Sequence, residues 1–177
     1  MRILACDFSL RRPGFAVVDF NEETREAKVV TLSNVDNKNP GKKGNGQILS
    51  EIAKELRRLM IEYPEAVLVR EKALTVVSRS AKTLEVLNKV VGVSDLFAWV
   101  DRGENWAELN PKTIKLLVTG NPNATKAEVA KELPRWVGEV DYDCDDESDA
   151  VAVAIAWLMT LKKIHKRPGV LKKLEAL

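Results

Sequence analysis

Residues 2–7 (RILACD) are apolar from Ile3 to Cys6 and end on an aspartate, a run that suits a strand buried on both faces. Residues 14–20 (GFAVVDF) and 27–32 (AKVVTL) read as two further strands, separated by the polar, turn-like stretch 21–26. The periodicity then changes. Ile48, Ile52, Leu56 and Leu59 recur at helical spacing within residues 47–63, with Pro64 just beyond. The apolar AVLV at 66–69 reads as a buried strand, and a helix opening at Ser80 carries Leu84, Leu87 and Val91 on one face. Residues 97–100 and 106–109 look extended. Pro111 suits the first position of a short helix, Asn123 or Thr125 can cap the next, and residues 148–164 form a long helix rich in Ala and Val. The Asn-, Gly- and Lys-rich segment 34–46 reads as a mobile loop. A meander of three strands followed by alternating helices and strands predicts an α/β fold, a mixed central sheet with helices on its faces.

Composition narrows the class. With 177 residues, 45% hydrophobic and 31% charged, the chain suits a single globular domain over residues 1–165, followed by a basic tail over 166–177. No apolar run reaches the length of about 18 residues expected of a membrane span. The start, MRILACDF, lacks the layout of a signal peptide, so a cytoplasmic location is expected. Cys6 lies in an apolar strand and Cys144 in an acidic loop, which fits free thiols in a reducing compartment. Two cysteines and one histidine do not build a Cys/His zinc site, so any metal is bound by oxygen. His165 itself reads as a surface residue, or at most a contact to a DNA backbone.

The net charge of +2 hides an uneven distribution. Residues 161–177 carry Lys162, Lys163, Lys166, Arg167, Lys172 and Lys173 against Glu175, whereas residues 141–149 hold six acids in nine positions. Such a pairing suits a nucleic-acid surface around a metal site. It also suits a solvated helix end after an acidic loop.

Four acids stand out by position. Asp7 and Glu71 each end an apolar strand, and neighbouring strands would bring both carboxylates to one edge of the sheet. Asp146 and Asp149 are three apart at the start of the last helix, on one face. The apolar run behind them would press that helix onto the sheet and turn the acids toward Asp7 and Glu71. Asp145, four residues before Asp149, shares that face and is an alternative to Asp146. Two carboxylates about 5 Å apart repel by roughly 3 kcal/mol at an effective dielectric near 20. Four together need protons or divalent cations, and carboxylate-only ligation favours Mg²⁺ or Mn²⁺. A pair of such ions suits phosphodiester hydrolysis without a histidine, serine or cysteine nucleophile.

These residues resemble the RuvC-type Holliday junction resolvases. The likeness lies in four blocks: ILACDFSLRRPGFAVV at 3–18, VLVREKA at 67–73, LNPKTIKLLVTGNPNATKAEV at 109–129 and DESDAVAVAIAW at 146–157. The resemblance implies the ribonuclease H-like fold, a homodimer, and two-metal cleavage of branched DNA, four-way junctions above all. It implies Asp7, Glu71, Asp146 and Asp149 as the ligands, with Asp7 shared by both ions, and Lys115 and Lys126 as catalytic lysines beside the phosphate. It also makes the helix around residues 80–91 the dimer helix, although Leu84, Leu87 and Val91 equally suit a core face.

The chain departs from the pattern at Phe8-Ser9, where the family often has Pro-Gly, which resembles divergent, phage-type members. Leu74 stands where many members carry an aromatic residue that unstacks a base. Segment 34–46 has no counterpart and reads as a hairpin tip able to touch DNA. A junction-binding protein without catalysis, or an RNA-processing nuclease of the same fold, are the alternatives to a branched-DNA endonuclease.

Overall fold

In a computed structural model of the chain, residues 1–37, 43–73 and 81–164 are described. Five strands, β1 (Arg2–Asp7), β2 (Gly14–Phe20), β3 (Ala27–Asn34), β4 (Val67–Glu71) and β5 (Ala107–Leu109), form one sheet in the order β3-β2-β1-β4-β5. The β1–β2–β3 meander is antiparallel, whereas β4 runs parallel to β1 and β5 parallel to β4. The sheet is therefore mixed, as the order of elements predicts.

Alternation along the strands sorts the side chains into two layers. Ile3, Ala5, Ala16, Val18 and Val69 face one side, under α3 (Pro111–Thr119), α4 (Lys126–Glu132) and α6 (Asp145–Thr160). Leu4, Cys6, Phe15, Val17 and Leu68 face the other, under α1 (Asn45–Glu62) and α2 (Ala81–Arg102). Both faces are covered, which is why the central strands read as unbroken apolar runs. Helix α6 is buried almost all round, and Ala150, Ala152, Ala154 and Ala156 let its backbone lie close to the sheet.

Several boundaries move. Residues 97–100 are not extended but lie inside α2, which ends at Gly103 in the left-handed region (φ 66°) with Gly103 N–H donating to the Trp99 carbonyl. The apolar residues Leu96, Trp99 and Val100 point outward there, while Ser94 and Ala98 face the core, so the helical period is masked by an exposed apolar face. The last helix begins at Asp145 and ends at Thr160, rather than running from 148 to 164. A short α5 (Pro134–Val137) went unread. Segment 34–46 joins β3 to α1; its described N-terminal part is pinned by Val35 N–H to the Pro13 carbonyl and Asn37 N–H to the Arg11 carbonyl, and the expected tip falls outside the described residues. Its residues 38–42 lie outside the described residues, as do Leu74, Ser80, His165 and the basic tail. Leu87 is buried in the α1–α2 layer, and Leu84 and Val91 are half-buried. Cys6 and Cys144 are free. Among the described residues no helix is long and apolar enough to cross a membrane.

Candidate metal centre

The strand register fixes the first two acids. Parallel pairing of Cys6 with Arg70 places Asp7, one step on, beside Glu71 at the end of β4. Parity fixes their face: Asp7 follows Ile3 and Ala5, and Glu71 follows Val69, on the side covered by α6. Asp7 also pairs with Gly14 across the β1–β2 ladder. That glycine is required by contact, because a Cβ added to it would lie 2.0 Å from the Asp146 carbonyl oxygen. The missing side chain thus sets how near the first turn of α6 comes to β1.

At that approach Asp7, Asp146 and Asp149 each offer a carboxylate oxygen, all within 4.8 Å of one another. Asp146, not Asp145, is the partner in this group. Glu71 lies outside it but lines the same shallow cleft as Asp7, with Phe8, Leu87, Val91 and Pro111 as its apolar wall. Lys126, the first residue of α4, donates to Asp146 Oδ1 at 2.9 Å and forms a second ion pair with Asp149. Its place is set by a full capping box, in which the Thr125 hydroxyl accepts from Glu128 N–H and the Glu128 carboxylate accepts from Thr125 N–H. Lys115 sits half-buried on α3 and enters none of the described ion pairs.

The cluster is electrostatically uneasy. Burial, then the charges of Glu71 and Asp149, push the Asp7 carboxyl well above the usual carboxylate range, and Lys126 only partly relieves it. Burial raises Asp149 as well, against the pull of Lys126. Burial acts to lower the Lys126 ammonium, yet its hydrogen bonds to Asp149 and Asp146 hold it above its ordinary value.

Among the remaining acids of the 141–149 run, Glu147 does other work. Glu147 is buried and turned away; its carboxylate accepts from Asn34 Nδ2 at 2.6 Å and from Asp143 N–H at 2.8 Å. Arg12 completes that brace by donating to Asn34 Oδ1 at 2.9 Å and to the Asp143 carbonyl at 3.3 Å. Sequence reasoning missed this brace, since a polar residue at a strand end and an acid in an acidic run carry no distinguishing signal. The Phe8-Ser9 departure also acquires a role. Phe8 packs edge-on against Phe15 and Trp106, and the Ser9 hydroxyl donates to Asp146 Oδ2 at 3.4 Å while accepting from Arg12 N–H.

The donor set fits a hard divalent cation. It is all oxygen, it converges from one strand end and one helix with Glu71 lining the same cleft, and a lysine ammonium already sits against two of its members.

Comparison with known proteins identifies the family. A family model described as crossover junction endodeoxyribonuclease RuvC matches residues 3–157. The RuvC of Synechococcus sp. (strain RCC307) is 31% identical over 160 residues, covering 89% of this chain and 98% of the relative. That of Synechococcus sp. (strain CC9311) is 32% identical over 165 residues, covering 88% and 96%. Among solved structures, T. thermophilus RuvC in complex with Holliday junction substrate aligns with a TM-score of 0.76 at 16% identity, covering 94% of this chain and 99% of that one. The yeast mitochondrial Holliday junction resolvase aligns with a TM-score of 0.64 at 13% identity, covering 92% and 81%. These likenesses make the fold ribonuclease H-like.

Proposed function

The chain belongs to the crossover junction endodeoxyribonuclease RuvC family, and on that premise we propose that Asp7, Glu71, Asp146 and Asp149 form its metal-dependent hydrolytic centre. Its substrate is branched DNA, the four-way Holliday junction first, and its role lies in recombination and repair. The observation that carries the assignment is the convergence of Asp7, Asp146 and Asp149 within 4.8 Å, beside Glu71, on one edge of the sheet.

The four carboxylates would hold two Mg²⁺ or Mn²⁺ ions. When bound, such ions supply an activated water and neutralise the leaving oxygen. The chain's own residues do the rest. Gly14 and the Glu147–Asn34–Arg12 brace hold the first turn of α6 against β1, so the acids need little rearrangement. Lys126 supplies positive charge at the mouth of the site, where the phosphate backbone must lie, and Lys115 adds a second charge from α3. The apolar wall formed by Phe8, Leu87, Val91 and Pro111 narrows the cleft on the side of Glu71.

The protein would act as a homodimer in the cytoplasm of a bacterium, or of a host cell if phage-encoded. The support for dimerisation is the outer face of α2, where Leu96, Trp99 and Val100 are each more than half exposed. A contiguous apolar helix face of this kind marks an association surface. Leu96→Glu should then shift the sedimenting species from dimer to monomer.

The test of substrate and metal uses labelled four-way junction, three-way fork, linear duplex and structured RNA, each with Mg²⁺, Mn²⁺ or EDTA. Paired nicks near the branch point of the four-way junction, dependent on metal, are expected. Junction binding without cutting under every metal would contradict the hydrolytic reading, and preferential cutting of RNA would reassign the substrate.

A further inference from the structure

The capping box of α4 fixes the backbone of Lys126, whereas its ammonium is held by the acids. Lys126 is the first residue of α4, where the helix dipole favours an anion, and the Thr125–Glu128 capping box has already satisfied that end. Its ammonium nevertheless lies 2.9 Å from Asp146 Oδ1 and in an ion pair with Asp149. The two aspartate side chains are 20% and 16% exposed, whereas Lys126 is 52% exposed. The cation thus enters the cluster from the solvent side on a flexible four-carbon stem, and can leave by the same way. It occupies two of the three carboxylates whose oxygens converge for a metal.

We propose that Lys126 is a displaceable counter-ion of the metal site, seated on Asp146 and Asp149 until a divalent ion takes those oxygens and frees the ammonium toward the DNA side. The proposal rests on the reading of the cluster as a metal centre. It assigns Lys126 a role in loading the site, in addition to any contact with phosphate. Its consequence follows from linkage: whatever the lysine contributes to the metal-free fold is subtracted from the affinity for metal. Removing the ammonium should therefore weaken the metal-free protein and tighten metal binding together. A lysine that only touched phosphate would change neither in the absence of DNA.

The experiment needs no DNA and no turnover. Full-length wild type, Lys126→Met and Lys126→Gln are melted in EDTA and along a Mn²⁺ titration, and Mn²⁺ affinity is measured by calorimetry. Both variants should melt below wild type in EDTA, the gap should close at saturating Mn²⁺, and Mn²⁺ should bind about tenfold more tightly, a difference of about 1.4 kcal/mol. Equal or weaker Mn²⁺ binding by the variants, with wild-type Mn²⁺ binding intact, would overturn the counter-ion role alone. No effect of Mn²⁺ on wild type would overturn the metal-centre reading and the counter-ion role with it.

Discussion

Adjacent residues of β4 enter two charge clusters built on opposite plans. Arg70 turns to the α2 side of the sheet, and Glu71 to the α6 side. Around Arg70 the cation is buried and the anions lie outward: its guanidinium is 6% exposed, while Asp95 and Glu108 are 53% and 32% exposed. Arg70 Nη1 donates to Ser94 Oγ at 2.6 Å and pairs with Asp95 at 2.7 Å, Nη2 and Nε both reach Glu108 Oε1, and the ring of Trp106 lies 5.7 Å away. Around Asp7 the anions are the less exposed members, and the cation paired with them among the described residues, Lys126, stands half outside. The first cluster is complete as it is, because each buried donor has a partner and each anion keeps water. The second gathers carboxylates that raise one another's proton affinity, with the Lys126 ammonium paired to two of them. A closed cluster holds the fold together, whereas one short of positive charge is built to receive something.

Mutations can separate the two plans. The largest effect belongs to Asp146→Asn, which should reduce junction cleavage at least about a thousandfold, a barrier increase of roughly 4 kcal/mol, with junction binding and folding retained. A comparable loss from Arg70→Met, with normal stability, would erase the contrast. That variant should instead lower unfolding free energy by roughly 1–3 kcal/mol in urea, below the 3–5 typical of a fully buried pair because Asp95 and Glu108 stay partly wetted. Gly14→Ala joins the two consequences, since its methyl would meet the Asp146 backbone. It should cost about 1–3 kcal/mol of stability as an overpacked site does, and lower cleavage as well.

The effect of pH distinguishes the clusters without loss of fold. The folded-state pKa of Asp7 is raised, so its carboxyl contributes stability while protonated. That contribution is lost as pH rises from the unfolded value through the folded one. In EDTA, Asp7→Asn should therefore gain on wild type as pH increases, and saturating Mg²⁺ should narrow or reverse the gain by stabilising wild type alone. A thermal melt across pH reads this directly. The smallest effect is expected of Thr125→Ala, which removes the cap of α4 at a cost of about 1 kcal/mol and loosens Lys126, with a modest fall in cleavage.

Much of this was legible in the sequence because its causes are local. The apolar run Ile3–Cys6 ending in Asp7, the three-residue step from Asp146 to Asp149, and Pro111 at a helix start each carry their own signal. Parity along β4 even assigns Glu71 to the α6 side once its register with β1 is known. What stayed hidden depends on contacts between distant segments. The brace from Glu147 to Asn34 spans 113 residues, and the bond from Ser9 to Asp146 spans 137. Phe8 looks like a loss of the family's Pro-Gly until its ring is found against Trp106, which in turn lies under Arg70. The error at residues 97–100 has a physical reason too, since apolar residues exposed on the outside of α2 break the helical period and imitate a strand.

The central claim, that the acids around Asp7 are the hydrolytic centre, is tested most directly by single-turnover cleavage of a preformed junction complex started by adding Mg²⁺, with wild type and Asp146→Asn side by side. Wild type should leave paired nicks at the branch point, and the variant should stay bound to the junction without cutting it. Wild-type rates in Asp146→Asn would remove the cluster from the chemistry.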